Sequence, residues 1–321
     1  MRNKNYDCAR GIAAIIVLLY HIPLVFNEVK IENFVYTLIS FPAKFGEQSV
    51  YFFMGLSGYV LALASNKFIR INFFSWSSWR IIRLLPMYYF CYFLGYLLIE
   101  NANIRVVDLT HLYLFSNNEI YSGINPPLWS LSVEIFISIA LYPLLSPKIN
   151  PKLLLVIALI LFLFSYSTSL WGYIAILRSM ATFLVGVAVV SINIRLSKNQ
   201  KIAAIIFIIT WSILILIDKR ILNSLLIPII LIILVLLKNA KSKILVNKTT
   251  IFLGKYSFSL YATHWVTLEL VNFYIKNLHW GLIYLLSCFF SILISVCVGK
   301  MIEFPTRKLS SIFVHRFKNA S

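Results

Sequence analysis

Apolar residues in this chain run in long blocks rather than alternating or recurring on one narrow stripe, and short polar knots separate the blocks. Blocks long enough to cross ~30 Å of hydrocarbon, about 20 residues of helix each, predict ten spans. They lie at roughly 8–27, 46–65, 84–100, 128–146, 152–169, 171–193, 202–218, 221–237, 251–275 and 281–303. Pro42, the basic stretch from Lys67 to Arg83, Pro126-Pro127, Pro147 to Lys152, Arg195 to Lys201, Asp218-Lys219-Arg220 and Lys238 to Lys248 fill the gaps. Prolines and charges there do not continue a lipid-facing helix. No internal repeat or low-complexity linker interrupts the series. The expected fold is therefore all-α: a polytopic membrane helical bundle of about ten transmembrane helices, with residues 1–321 forming one membrane-embedded domain.

Composition sharpens this picture. The chain is 60% hydrophobic and only 12% charged, which excludes an ordinary soluble globular domain. Its net charge of +18 has two possible sources, nucleic-acid binding or basic inner loops. No soluble basic domain or aromatic-interleaved basic face exists, so no nucleic-acid partner is expected. With the N-terminus placed inside, 22 of the 29 basic residues fall on the inner side, from Arg2, Lys4 and Arg10 to Arg316 and Lys318. That asymmetry is the positive-inside pattern, and it puts both termini in the cytoplasm. Cys8, Cys91, Cys288 and Cys297 sit in or beside apolar segments without any CxxC pair, so neither a metal site nor a disulfide framework is expected. A basic start and an apolar run without a small-residue cleavage pattern read as a retained first helix.

The ionisable groups inside the spans carry the chemistry. In DCARGIAAIIVLLYH, Arg10 and His21 are eleven residues apart, close to three whole turns, so they share a helix face ~16 Å apart. Asp7 lies one turn before Arg10. A titratable group at such depth is a functional-site hypothesis by default; the plainer reading is an interior histidine bonded to a neighbouring helix. Counted from their own helix ends, His21, Glu134, Arg178 and His264 fall at one level in the outer half of the membrane. At the inner face, Arg80 and Arg83 in WRIIRLLPMY stand one turn apart, flanked by Trp76 and Trp79. With Arg10 and Lys255 they suit either an anionic-ligand mouth or an interfacial anchor on anionic lipid.

A phosphate-rich donor at the inner face and a histidine ~16 Å deeper fit an elongated activated substrate such as an acyl-CoA. His21 is then the general base on an acceptor hydroxyl, oriented or charge-stabilised by Glu134, or the carrier of a transient acyl group.

The segments quoted above, with FFMGLSGYVL, LWSLSVEIFISIALYPLL, GKYSFSLYATHW, IEFPTRK and the Arg178–Phe183–Gly186 pattern, resemble in order those of the acyltransferase-3 family of membrane O-acyltransferases. The resemblance covers essentially the whole chain. It implies acyl transfer, commonly acetyl from acetyl-CoA as donor substrate and without a metal, to a hydroxyl of a cell-surface or lipid-linked glycan. The setting would be a bacterial inner membrane. It implies essential roles for His21 and Arg10, and donor binding by Arg80 and Arg83 beside Arg10. Asp7, Arg178, Tyr261 and His264 are candidates for substrate-side or supporting roles. Some members carry an extra helix and an SGNH hydrolase-like domain; this chain is expected to lack both. The alternative is a transporter of acyl groups or lipid-linked sugars, whose intramembrane charges would form its pathway. Gly55, Ser57 and Gly58 read as close helix packing rather than a nucleophile elbow. Glu303 before Pro305 reads first as a helix ending.

Overall fold

A computed structural model of the chain describes residues 4–26, 41–65, 72–99, 104–111, 123–146, 148–167, 171–192, 195–214, 225–240, 246–275 and 278–319. Among these the regular structure is helical, with no strand. The long helices are α1 (Lys4–Val25), α2 (Gly46–Ser65), α3 (Phe73–Leu98), α4 (Trp129–Ala140), α5 (Pro151–Phe164) and α6 (Trp171–Ser191). They continue with α7 (Lys198–Leu214), α8 (Leu226–Asn239), α9 (Lys248–Ile275), α10 (Trp280–Val298) and α11 (Phe304–Asn319). A helix thus occupies each of the ten predicted segments. Five stretches are long and apolar enough to cross a membrane: Lys4–Val25, Pro42–Ser65, Phe73–Leu98, Gly172–Ser191 and Trp280–Phe313. Pro126–Ala140, Pro151–Phe164 and Leu226–Lys238 are shorter apolar helices. The junction of the seventh and eighth predicted spans, residues 215–224, lies outside the described residues. So do the basic positions Arg2, Lys30, Lys67, Arg70, Lys219, Arg220, Lys241, Lys243 and Lys276.

Large apolar side chains stand outward on the peripheral helices: Leu153, Val156, Leu159, Ile160 and Leu163 on α5, Ile202, Ile205, Ile206 and Ile209 on α7, and Leu282, Leu285, Phe289 and Leu293 on α10. Such ridges would be a liability in water and are the expected lipid face of a membrane protein. Lipid tails are as apolar as leucine, so the interior must be held by close packing and hydrogen bonds rather than by apolar burial. Two helix crossings show how. Gly58 of α2 lies against the Phe183 backbone of α6, and Gly186 of α6 against the Gly55 backbone, with no room for a Cβ on either side. Gly11 of α1 and Gly254 of α9 meet in the same way, Gly254 over the Asp7 carbonyl. The first crossing agrees with the packing role read for Gly55 and Gly58.

Buried hydroxyls return to their own helices, as Thr182 does to the Arg178 carbonyl (3.0 Å) and Thr263 to the Ser259 carbonyl (2.8 Å). Lys238 at the end of α8 donates to the carbonyls of Val189 (2.8 Å), Val190 (3.1 Å) and Ile192 (2.7 Å), closing the C-terminus of α6. Those carbonyls lack partners within the helix and hold negative partial charge, so an ammonium suits them.

One boundary differs in a way that matters. The third helix starts at Phe73, capped by Asn72, whose side chain accepts from the Ser75 amide at 2.9 Å; the expected start was near 84. Arg80 and Arg83 therefore lie within the helix, not at its entrance. A guanidinium inside a bundle needs a counter-charge, and α4 supplies it.

Candidate active site

Two pockets face each other through a common wall. The one toward the N-terminal end of α1, called inner because that end is expected in the cytoplasm, is about 240 Å³ and is lined by Arg10 from α1, Ser57 from α2, Arg80 and Arg83 from α3, Glu134 from α4, Ser257 and Tyr261 from α9, Glu303 from the π-helical turn Gly299–Glu303, and Arg307 from α11. Four guanidiniums against two carboxylates leave it a net charge of +2. Arg80 is buried to 3% exposure and is engaged through two of its nitrogens. Its Nη2 donates to Glu134 Oε1 (2.8 Å) and its Nε to Ser138 Oγ (2.9 Å), while its guanidinium lies 5.7 Å over Trp79. Ser57 donates to the same Glu134 oxygen (2.7 Å), and Trp76 to the Ser138 carbonyl (2.9 Å). Arg307 holds Glu303 Oε1 (3.2 Å), whose other oxygen accepts from Ser259 (2.5 Å). A π-helical turn at such a point is a common device for aiming a functional side chain.

The outer pocket, about 160 Å³, is lined by Tyr20, His21 and Leu24 from α1, Gly46, Glu47 and Val50 from α2, the Pro126-Pro127-Trp129 corner, and Tyr261 and Trp265 from α9. Val50 and Tyr261 belong to both linings and form the partition. The Tyr261 hydroxyl is held at the partition, donating to the Pro127 carbonyl (3.1 Å) and accepting from Ser130 (2.7 Å).

His21 and His264 form a hydrogen-bonded pair whose proton positions follow from its partners. His264 Nδ1 stands 2.6 Å from the Tyr261 carbonyl, and His21 Nδ1 stands 2.9 Å from the Val17 carbonyl. A carbonyl only accepts, so both Nδ1 atoms carry hydrogen in the neutral rings. His264 Nε2 is then an acceptor, and at 3.1 Å it shares the one His21 Nδ1–H with the Val17 carbonyl in a three-centre bond. That leaves His21 Nε2 as a lone pair with no hydrogen bond among the described residues, on the pocket side of α1. Tyr20 and Trp265 pack edge-on to the His21 ring, with centroids 4.9 and 5.4 Å away, and restrain it.

The expected single layer of His21, Glu134, Arg178 and His264 divides in two. His21 meets His264, whereas Glu134 bonds Arg80 and Ser57 in the inner cavity and not His21. The deep start of α3 is the reason: the buried Arg80 takes the carboxylate that the sequence assigned to the histidine. Arg178 reaches Glu47 at 3.5 Å and lies 5.5 Å over the Tyr166 ring. Arg10 lines the inner cavity and His21 the outer pocket, at the two ends of the interval read from the first helix. Asp7 is half-buried one turn inward and lines neither; Lys255 packs its ammonium on Tyr256 and Phe304, 5.1 Å from each ring.

Glu47 and Arg307 escaped the sequence reading, and Glu303, read first as a helix ending with a site role as the lesser reading, lines the inner cavity. Glu47 and Arg307 fall at predicted span edges, where charge is ordinary. The signal available was that 11 acidic residues serve the whole chain, so any acid inside an apolar block asks for a partner.

Comparison with known proteins adds a family and nothing closer. No curated protein and no solved structure matches the chain. Residues 3–300 match the family model described as an acyltransferase domain, nearly the whole length of the described bundle. A membrane helical bundle with an arginine cavity backed onto a histidine pocket is thus a member of a defined enzyme family: the chain belongs to the acyltransferase-3 family.

Proposed function

We propose that this membrane O-acyltransferase carries an acyl group, acetyl in the first instance, from an acyl-CoA at the inner cavity to a hydroxyl of a surface or lipid-linked glycan at the outer pocket. The observation that carries the reading is the shared wall: a cationic cavity and a pocket holding an unshielded histidine nitrogen meet at Val50 and Tyr261. Arg10, Arg83 and Arg307 are the groups to bind donor phosphates, because guanidinium presents paired donors suited to phosphate oxygens. Arg80 is committed to Glu134 and chiefly holds the cavity open. A CoA thioester supplies an activated acyl carbon and a sulfur leaving group.

His21 Nε2 takes the proton of the acceptor hydroxyl as that oxygen bonds to the acyl carbon and the carbon–sulfur bond breaks. The imidazolium then returns the proton to the departing sulfur, so His21 ends the cycle neutral. His264 keeps His21 in the tautomer that presents Nε2. It also receives the Nδ1–H bond, which strengthens as His21 becomes charged.

His21→Ala should lower acyl transfer by roughly a thousandfold, within the range ascribed to a positioned general base. The protein should still accumulate in the membrane and bind acyl-CoA. Full acylation of surface glycans by this variant, read by mass spectrometry, would remove His21 from the mechanism.

A further inference from the structure

The outer pocket contains a second built feature that the acyl-transfer chemistry leaves unused. Glu47, one residue into α2, presents its carboxylate to the pocket that holds His21, at 35% exposure. It is not a stray surface acid. Arg178 Nη1 approaches Oε1 at 3.5 Å and the Tyr51 hydroxyl donates to the same oxygen at 3.2 Å, both from the protein side. Arg178 is itself buried and braced by Ser165 (3.3 Å) and Tyr166. One carboxylate oxygen is thereby fixed, and the other has no hydrogen bond among the described residues. An ionised carboxylate only accepts, so the free oxygen calls for hydroxyl or amide donors. Trp129 and Trp265 supply aromatic walls beside it, the mix of flat apolar surface and few placed polar groups usual for a small-ligand site. Among the described residues, none that lines this pocket is Lys or Arg.

We infer that Glu47 is an acceptor-binding residue, and that the pocket is selective for an uncharged sugar ring whose hydroxyls donate to its carboxylate. A carboxylate or phosphate on the reacting ring would face the free oxygen of Glu47 at close range, while the guanidinium at that carboxylate, Arg178, is engaged on Oε1 and is not among the described residues that line the pocket. Repulsion of that kind excludes a wrong partner at a cost in affinity. A lipid-linked acceptor would therefore present a sugar remote from its own diphosphate. This inference rests on the outer pocket being the acceptor site, and its test separates the two claims.

Purified protein in nanodiscs, without acyl-CoA, would be titrated with phenyl glucoside, galactoside and mannoside and with the matching phenyl uronides, which differ only in carrying a C6 carboxylate. The wild type should bind at least one uncharged glycoside about 10-fold more tightly than its uronide, a modest discrimination for one like-charge contact. Glu47→Gln should erase most of that preference, and acetyl-CoA affinity should stay unchanged, which also reports folding. Glu47→Asp keeps the charge and should retain the preference. Equal binding of glycoside and uronide by the wild type, an undiminished preference in Glu47→Gln, or no binding of any uncharged glycoside overturns the inference. If the binding contrast is present but no acyl transfer occurs when acetyl-CoA is added, the subsite stands and the acyltransferase reading of it falls.

Discussion

Four arginines and two glutamates crowd the inner cavity, whereas the outer pocket holds one carboxylate, a neutral histidine and aromatic walls. Both are built from α1, α2 and α9, and they share Val50 and Tyr261, yet their electrostatics are opposite. The difference follows from what each must leave paired. The inner cavity pairs Arg80 with Glu134 and Arg307 with Glu303, and its lining still carries two more guanidiniums than carboxylates. The outer pocket leaves His21 Nε2 without a hydrogen bond among the described residues, and none of the described residues in its lining is Lys or Arg. On the proposed reading, recognition of phosphate and abstraction of a proton are separated by depth, one helix carrying a residue for each.

The comparison can be broken most sharply at Arg80. If it is structural, Arg80→Ala leaves the half-buried Glu134 with its Ser57 hydrogen bond but without its counter-charge, a loss of about 1–3 kcal/mol. Thermal unfolding in detergent should show that loss, and Glu134→Gln in the same chain should recover part of it. An Arg80→Ala protein of normal stability with weakened acyl-CoA binding would place Arg80 among the donor ligands instead. Next in size is His264→Phe. It removes one of the two acceptors of the His21 Nδ1–H, leaving the Val17 carbonyl, and should cut kcat by about thirtyfold, comparable to losing one hydrogen bond to a charged group, at constant donor KM. His264→Gln, which keeps an acceptor oxygen, should restore part of the rate; no rescue would reduce His264 to packing. Arg83→Gln should raise the acetyl-CoA KM about 10-fold, comparable to losing one charge-assisted hydrogen bond. Acetyl-pantetheine, which lacks the nucleotide phosphates, should be used equally by wild type and variant. Unequal use would shift Arg83 away from phosphate binding.

The smallest effect concerns the outer rim. His111, in the loop after α3, bonds Ser132 at 2.7 Å and packs on Tyr88, and its Nε2 is buried with no hydrogen bond among the described residues. Burial holds its pKa below the ordinary histidine value. Protons then bind the unfolded chain more readily than the folded one as pH falls through that ordinary value, so stability falls on acidification from neutral pH and is retained above it. His111→Asn should flatten the dependence of melting temperature between pH 7.5 and 5.5; an unchanged slope would assign it to other groups.

Helix positions were legible because long apolar blocks have few other fates, and α9 was found despite its polar load of Ser257, Ser259, Thr263 and His264. The start of α3 was not, since hydropathy treats Arg80 and Arg83 as boundary charges and cannot see the carboxylate that α4 brings to them. The Arg10–His21 interval survived because it lies within one helix, where spacing fixes geometry. The partners of His21 and Arg178 did not, because pairing across helices depends on rotation about each axis. Depth along a span constrains that rotation weakly. Glu47 sat one residue inside a predicted span and read as its edge.

The crossing of Gly11 with Gly254 sets a register as well as a contact. His21 lies ten residues beyond Gly11, and His264 ten beyond Gly254, on two helices that run in parallel from that touching point. Equal arms of about 15 Å bring the two rings level. A single inserted residue in either arm would turn one imidazole by about 100° and lift it about 1.5 Å. Insertions and deletions between glycine and histidine should therefore be tolerated only when they occur in both helices together and add or remove close to whole turns, about seven residues at a time.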